Sequence, residues 1–122
     1  MAKTILIVDD SAVIRNSLCF LLESEGYAVQ TAATGLEGLE KAQSQQFDTI
    51  IADINMPQMP GYEMIKKLRA LEQYRDVPII IITTEEEAGD KRKGFEAGAN
   101  LFLIKPTEPQ KMVKYVNMFL NQ

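Results

Sequence analysis

Five polar side chains stand directly after apolar segments of this chain. In chain order they are Asp9, Asp10, Asp53, Thr83 and Lys105. Carboxylates gathered within a few ångströms repel one another, so they should hold a proton or bind a cation. Mg²⁺ suits them best, because it prefers oxygen ligands and is commonly held by one or two carboxylates together with a phosphate oxygen. The set indicates a magnesium site that handles a phosphoryl group.

Phosphoryl transfer is the reaction that these side chains could support together. A carboxylate can attack phosphorus and carry the phosphoryl group as an acyl phosphate, and Asp53, in the middle of the set, is the candidate nucleophile. The Lys105 ammonium and the Thr83 hydroxyl could stabilise the remaining phosphoryl oxygens. Taken singly, the aspartates are more often helix caps or turn residues, and Lys105 could be an ordinary solvated lysine. Only the presence of all these side chains after apolar segments of the same chain favours a catalytic interpretation.

Three other features are interpreted as structural. Cys19 is expected to be a half-buried, inert thiol. The methionines Met56, Met59 and Met64 are expected to pack a loop rather than line a binding groove. The basic run at residues 91–93 is typical of a solvated helix face.

Composition bounds the class of protein. With 122 residues, 46% of them hydrophobic, the chain is expected to form one domain over residues 1–122. One cysteine and no histidine exclude an internal disulfide, a zinc-type Cys/His cluster and a Ser/His/Asp triad. The net charge of -4 argues against direct nucleic-acid binding. Without a leader or a long apolar run, we expect no membrane insertion, a cytoplasmic location and a monomer.

The order of elements explains why the polar side chains should meet. Short apolar runs predict five strands, at residues 4–8, 27–32, 47–52, 77–82 and 101–104, each followed by a segment with helical features. Polar alternation in the second run favours an edge strand. Such alternation of strand and helix predicts an α/β, doubly wound parallel sheet with five strands and five helices. Ligands of these sheets gather beyond the carboxyl ends of the strands.

Five short motifs strengthen this interpretation. They are VDDS at 8–11, DINMPQMPG at 53–61, TT at 83–84, GA at 98–99 and KP at 105–106. In this order and spacing the chain resembles, over essentially its whole length, the receiver domains of two-component response regulators. The resemblance implies the CheY-like, flavodoxin-like strand order 2-1-3-4-5.

The resemblance also implies a role for each site residue. Asp53 would be the phosphoacceptor, and Asp10 with Asp53 would bind Mg²⁺ directly. Asp9 would act through water, and Asn55 would offer its backbone carbonyl to the metal. Lys105 would pair with a phosphoryl oxygen.

Further roles concern signalling and lifetime. The Thr83 hydroxyl would bind the phosphoryl group and form a switch with Phe102, which in isolation is a plain core aromatic. Asn55 and Glu85 would tune the lifetime of the phosphoryl group. Pro106 would follow a cis peptide bond and Gly61 would be structural. Two departures, Thr107 in place of phenylalanine and Pro60 in place of aspartate, could alter partner contacts.

The implied function is a switch rather than a turnover enzyme. A sensor histidine kinase would supply the phosphoryl group, and a downstream protein would bind the surface of the fourth helix, fifth strand and fifth helix. The final segment favours a stand-alone chemotaxis or motility regulator over a phosphorelay intermediate or a receiver from a larger regulator. A haloacid dehalogenase-type phosphatase would need an Asp-x-Asp motif after the first strand. A flavodoxin-like cofactor binder would need a Ser/Thr/Gly-rich first loop, which is also absent.

Overall fold

The computed structural model describes residues 2–84, 91–105 and 108–120. Its strands are β1 Thr4–Val8, β2 Ala28–Ala32, β3 Thr49–Ala52, β4 Ile79–Thr84 and β5 Leu101–Lys105. Its helices are α1 Ala12–Ser24, α2 Gly35–Ser44, α3 Gly61–Arg69, α4 Lys91–Ala97 and α5 Pro109–Leu120, with a 3₁₀ turn at Glu72–Tyr74. Among the described residues, every helix is too short or too polar to span a membrane.

The five strands form one parallel sheet in the order β2-β1-β3-β4-β5. This confirms the predicted fold class and strand order, and it places β2 at an edge as its polar alternation indicated. The chain leaves β1 to one side for β2 and returns to the other side for β3. The carboxyl ends of β1 and β3 therefore flank the point where strand order reverses, which is where doubly wound sheets bind ligands.

Side chains of the buried strands alternate between two apolar layers. Ile50 and Ile81 face the layer that contains residues of α2, α3 and α4. Ile51 and Ile80 face the layer that contains residues of α1 and α5. Because β1, β3 and β4 are covered on both faces, their backbones are held rigidly and their carboxyl ends become fixed platforms for the residues that follow.

The starts of α1 and α2 are fixed by side-chain caps. The Ser11 hydroxyl accepts from the N–H of Ile14 at the start of α1. At α2 a capping box forms: Thr34 Oγ1 accepts from the N–H of Glu37 at 3.0 Å, and Glu37 Oε1 accepts from the N–H of Ala33 at 2.9 Å. These caps place the first turns of α1 and α2 beside the strand ends.

Several strand boundaries differ from the sequence-based prediction: β2, β3 and β4 begin one or two residues later, at Ala28, Thr49 and Ile79, and both β4 and β5 end later than predicted. Thr83 and Lys105 were predicted to follow their strands, but both lie within them. Thr83 pairs with Ile104, and Thr84 pairs with Lys105. The parallel ladder between β4 and β5 supplies backbone partners that hydrophobicity alone does not reveal, so it carries both strands into polar residues.

Two of the predicted roles lie outside the described residues. Glu85, assigned to lifetime tuning, and Pro106, assigned a cis bond, both fall there. The methionine prediction is testable and is confirmed, because Met56, Met59 and Met64 are all buried in the layer beneath α2 and α3.

Candidate functional site

A cluster of three carboxylates lies beyond the carboxyl ends of β1 and β3. Asp9, Asp10 and Asp53 each offer one oxygen, and these atoms all lie within 4.8 Å of one another. Asp9 and Asp53 retain only 1% and 6% of their exposure, whereas Asp10 is exposed. Two buried acids and one open to solvent form a site that a cation can reach from outside.

The neighbouring strands bring the buried pair together. The N–H of Asp53 donates to the Val8 carbonyl at 2.9 Å, and the N–H of Asp9 donates to the Ala32 carbonyl at 3.1 Å. Because Val8 lies opposite Ala52 in the ladder, the residues that follow these two positions emerge side by side. Parallel pairing therefore sets the closeness of the two carboxylates.

Lys105 reaches this cluster from β5. Its Nζ lies 2.9 Å from Asp9 Oδ2 and 3.0 Å from Asp53 Oδ2, so one ammonium is shared by both buried acids. The lysine side chain retains 15% of its exposure. It partly neutralises the repulsion between the carboxylates, and it holds a positive charge beside the candidate nucleophile.

Backbone groups fix the other carboxylate oxygens. Asp53 Oδ1 accepts from the N–H of Ile54 at 2.7 Å, and Asp9 Oδ1 accepts from the N–H of Ser11 at 2.9 Å. The Asp9 carbonyl accepts from Arg15 Nη1 at 2.6 Å. Sequence reasoning missed Arg15, because nothing in its spacing on α1 distinguishes it from a surface cation.

Burial and charge shift the pKa of two of these groups. Desolvation raises the pKa of Asp9, although hydrogen bonds from Lys105 and Ser11 oppose it. Burial lowers the pKa of Lys105, but its hydrogen bonds and charge contacts with Asp9 and Asp53 outweigh this, so its pKa is raised overall. The stability that Lys105 contributes is therefore present at neutral pH and lost as the pH rises through its folded pKa.

Thr83 lies near the carboxyl end of β4. It is 1% exposed, and its hydroxyl forms no hydrogen bond with any of the described residues. A buried hydroxyl without a partner costs free energy, and the cost is recovered if an acceptor enters. A phosphoryl oxygen is an acceptor of this kind.

The remaining predicted residues lie on the loop after β3, at the start of α3 and on β5. Asn55 is exposed in the loop that follows Asp53. Gly61 begins α3 so close to Asp53 that a Cβ there would lie 2.2 Å from the Asp53 carbonyl oxygen. Phe102 is 7% exposed in the layer beneath α4, with its ring centroid 6.2 Å from that of Phe95. Its inward position fits both the core interpretation and the inward state of a switch.

The donor set fits Mg²⁺. Three carboxylates supply oxygen ligands, one of them open to solvent, which suits an ion that retains several waters. The unpaired Thr83 hydroxyl adds a partner for a phosphate-type ligand. The site lacks soft ligands, since no histidine exists in the chain and Cys19 lies on α1 outside the cluster.

Mg²⁺ at millimolar concentration is expected to raise the Tm, because an ion that binds the folded cluster stabilises it by mass action. At 100 times its Kd, the gain would be about 2.7 kcal/mol. Asp10→Ala should remove most of the increment, whereas Asp76→Ala, at an exposed position distant in sequence, should retain it. Thermal melts with and without Mg²⁺ measure this, and an unchanged increment in Asp10→Ala would place the ion elsewhere.

Comparison with known proteins agrees with this geometry. The family model described as the response regulator receiver domain matches residues 5–117. The transcriptional regulatory protein PhoP of Bacillus subtilis, which is named for alkaline phosphatase synthesis, is 38% identical over the whole of this chain but only 50% of its own length. The chain spans about half the length of such curated relatives.

Solved structures are similar over their full length. The chemotaxis response regulator CheY4 of Vibrio cholerae is 42% identical, with a TM-score of 0.92, 98% of this chain covered and 100% of that one. The receiver domain of the sensor histidine kinase PA1611 from Pseudomonas aeruginosa is 30% identical, with a TM-score of 0.91 and full coverage of both chains. That structure has a magnesium ion coordinated in its active-site cleft.

Proposed function

This chain belongs to the response regulator receiver domain family of two-component systems, and from that premise we propose that Asp53 accepts a phosphoryl group from a sensor histidine kinase in a Mg²⁺-dependent reaction. The observation that carries the proposal is the placement of Asp53. It is a buried carboxylate within 4.8 Å of two others, and Lys105 contacts it directly. Few structural roles require that arrangement, whereas phosphoryl transfer does.

The reaction exchanges one bond to phosphorus for another. A carboxylate oxygen of Asp53 forms the new P–O bond while the P–N bond of the donor phosphohistidine breaks, and the imidazole leaves with its electron pair. The N–H of Ile54 orients the carboxylate through Oδ1. Lys105, which here bridges Asp9 and Asp53, pairs with a phosphoryl oxygen as negative charge is redistributed.

Asp10 and Asp53 would hold the metal directly, Asp9 through water and Asn55 through its backbone carbonyl. When bound, Mg²⁺ would neutralise charge on the phosphoryl oxygens and on the crowded carboxylates. Asn55 is exposed on the loop that follows Asp53. Asn55 and Glu85 would influence the approach of the water that later removes the phosphoryl group.

The phosphoryl donor needs an approach to Asp53. A cavity of about 210 Å³ opens beside Lys105 between α1 and the start of α5, and it is lined by Ile14, Ser17, Leu18, Leu21, Ile82, Lys105 and Pro109. Val13 and Phe20 on α1 are also strongly exposed. We propose that a helix of the kinase docks along α1 with its phosphohistidine directed towards Lys105.

The downstream partner would bind the surface formed by α4, β5 and α5. Phe95 of α4 and Ile104 of β5 are large apolar side chains that remain 44% and 41% exposed, which suits a protein partner. The full-length similarity to CheY4 supports a chemotaxis or motility-type role. The half-length match to PhoP is what a receiver attached to an output domain would give, so a larger regulator or a phosphorelay remains the alternative.

The direct test of the function is labelling with acetyl phosphate. The purified protein should acquire one acyl phosphate per chain in the presence of Mg²⁺ and lose it slowly to water. Release of many equivalents of phosphate per chain, without accumulation of a labelled form, would favour a phosphatase instead.

Thr83→Ala should leave Asp53 open to phosphorylation but uncouple the output surface. Thr83 is buried with an unpaired hydroxyl. Its ladder partner Ile104 is two residues from Phe102. A phosphoryl group that binds the hydroxyl would therefore draw β4 inward beside Phe102. Amide hydrogen exchange over residues 91–105, with and without beryllofluoride, measures the response. We expect most of the wild-type change to disappear in the variant. Equal changes in both proteins would show that the hydroxyl is not the link.

A further inference from the structure

Two glycines, Gly61 and Gly35, lie directly against the loop between β3 and α3, residues 53–60. At Gly61 a Cβ would lie 2.2 Å from the Asp53 carbonyl oxygen. At Gly35, the first residue of α2, a Cβ would lie 2.2 Å from the Met59 carbonyl oxygen and 2.9 Å from Met59 Cβ. Real side chains do not approach backbone atoms so closely, so α2 lies directly on the loop only because position 35 has no side chain.

Helix α2 has little freedom to move away from the loop. The Thr34 and Glu37 capping box ties its first turn to the chain that leaves β2. One turn further on, a Cβ at Gly38 would lie 2.8 Å from Val8 Cγ2 and 3.0 Å from Met64 Sδ. The helix thus also packs closely against Val8 of β1 and Met64 of α3, although less closely than against the loop.

The loop is equally constrained on its other side. The side chains of Met56 and Met59 are buried in the layer beneath α2 and α3. The N–H of Gly61 donates to the Ile54 carbonyl at 2.8 Å, and Gln58 already has a φ of 71°, a conformation that few residues other than glycine adopt. A side chain at position 35 that displaced the Met59 carbonyl would therefore also displace the rest of the loop.

We infer that Gly35 is a positioning residue for the magnesium site, because its missing side chain lets α2 fix the loop that presents the Asn55 carbonyl. The inference rests on the proposed magnesium site. Gly35 contacts none of the three carboxylates and acts only through Met59. It should therefore govern how well the loop carbonyl is placed for the ion, and it should leave Asp53 and Lys105 in position.

Gly35→Ala is expected to weaken Mg²⁺ binding about tenfold, as loss of an outer contact of a metal site commonly does. At saturating Mg²⁺, the rate of labelling by acetyl phosphate should stay within about twofold of wild type, since the nucleophile is untouched. A merely structural role would lower the Tm without this separation between affinity and rate.

Gly38→Ala is the matched control. It makes the same substitution on the same helix and creates a milder clash, with the side chains of Val8 and Met64 rather than with the loop backbone. It should lower the Tm and leave Mg²⁺ affinity near that of wild type. Isothermal titration with MgCl₂, alongside melts of each protein, compares the variants.

The outcomes separate the inference from the function on which it rests. Mg²⁺ binding by wild type with unchanged affinity in Gly35→Ala, or equal weakening in Gly38→Ala, overturns the inference alone. No binding by wild type overturns the magnesium site and the inference with it. If Gly35→Ala does not fold, Pro60→Gly slackens the same loop without adding an atom, and it should weaken binding similarly. Wild-type affinity in Pro60→Gly would then overturn the inference.

Discussion

Asp53→Asn is expected to abolish labelling by acetyl phosphate. The amide has the shape of the carboxylate, and its oxygen can still accept from the N–H of Ile54, so the fold should survive. It is, however, a poor nucleophile and cannot form an acyl phosphate. Intact-protein mass spectrometry after incubation with acetyl phosphate and Mg²⁺ should show wild type labelled and the variant at background.

The control for this prediction is Asp76→Asn, which makes the same change at an exposed aspartate outside the cluster. It should be labelled like wild type. Labelling of Asp53→Asn at the wild-type stoichiometry would mean that another side chain is the acceptor.

Lys105→Gln is expected to slow phosphorylation by about 10² to 10³-fold, the usual effect of removing one donor that stabilises a developing charge. The structure gives Lys105 direct contact with Asp53, so its ammonium can move to a phosphoryl oxygen without a large rearrangement. Stopped assays of acetyl phosphate labelling at saturating Mg²⁺ measure the rate. Lys111→Gln on α5, an exposed lysine, is the control and should react at the wild-type rate.

Lys105→Gln should also lower the stability of the folded protein, by an amount that depends on whether Mg²⁺ is present. Without the ammonium, buried Asp9 and Asp53 lose their shared hydrogen-bond donor, and the free energy of unfolding should fall by roughly 1 to 3 kcal/mol in metal-free buffer. Mg²⁺ should raise the Tm of Lys105→Gln more than that of wild type, because the ion no longer competes with a lysine for the carboxylates. A smaller rise in Tm than that of wild type would show that Lys105 assists Mg²⁺ binding instead of competing with the ion for the carboxylates.

Much of the site could be predicted from sequence because parallel strands end at one edge of the sheet. Asp9 and Asp53 follow short apolar runs, and any parallel sheet that places those runs side by side must bring the two carboxylates together. Lys105 also lies beside Asp9 and Asp53 because β5 ends at the same edge of the sheet. The common edge thus followed from strand identity and sheet direction, which hydrophobic patterning reveals, whereas the pairing of β1 with β3 followed from the strand order that the resemblance implied.

Other parts of the site depend on tertiary distances that no local pattern encodes. Arg15 binds the Asp9 carbonyl, yet on α1 it looks like any surface cation. Gly35 offers no chemistry in the sequence, and only the closeness of the Met59 carbonyl in the folded chain gives it a role. The strand ends at Thr84 and Lys105 also required the ladder itself.

Several expectations stay predictions. Glu85 and Pro106 lie outside the described residues, so neither the lifetime role nor the cis bond is tested. The single-domain organisation, the monomeric state and the cytoplasmic location likewise await experiment. The inward position of Phe102 agrees with either of its two interpretations, and the exchange experiment on Thr83→Ala bears on the choice.

The most direct test of the central claim is to locate the phosphoryl group in the wild-type protein. An acyl phosphate on aspartate is reduced by borohydride to homoserine, so reduction of the labelled protein followed by peptide mass spectrometry identifies the acceptor. Homoserine at position 53, formed with Mg²⁺ and absent when the metal is chelated, is the predicted result. Homoserine at another aspartate, or equal conversion at position 53 without metal, would contradict the account.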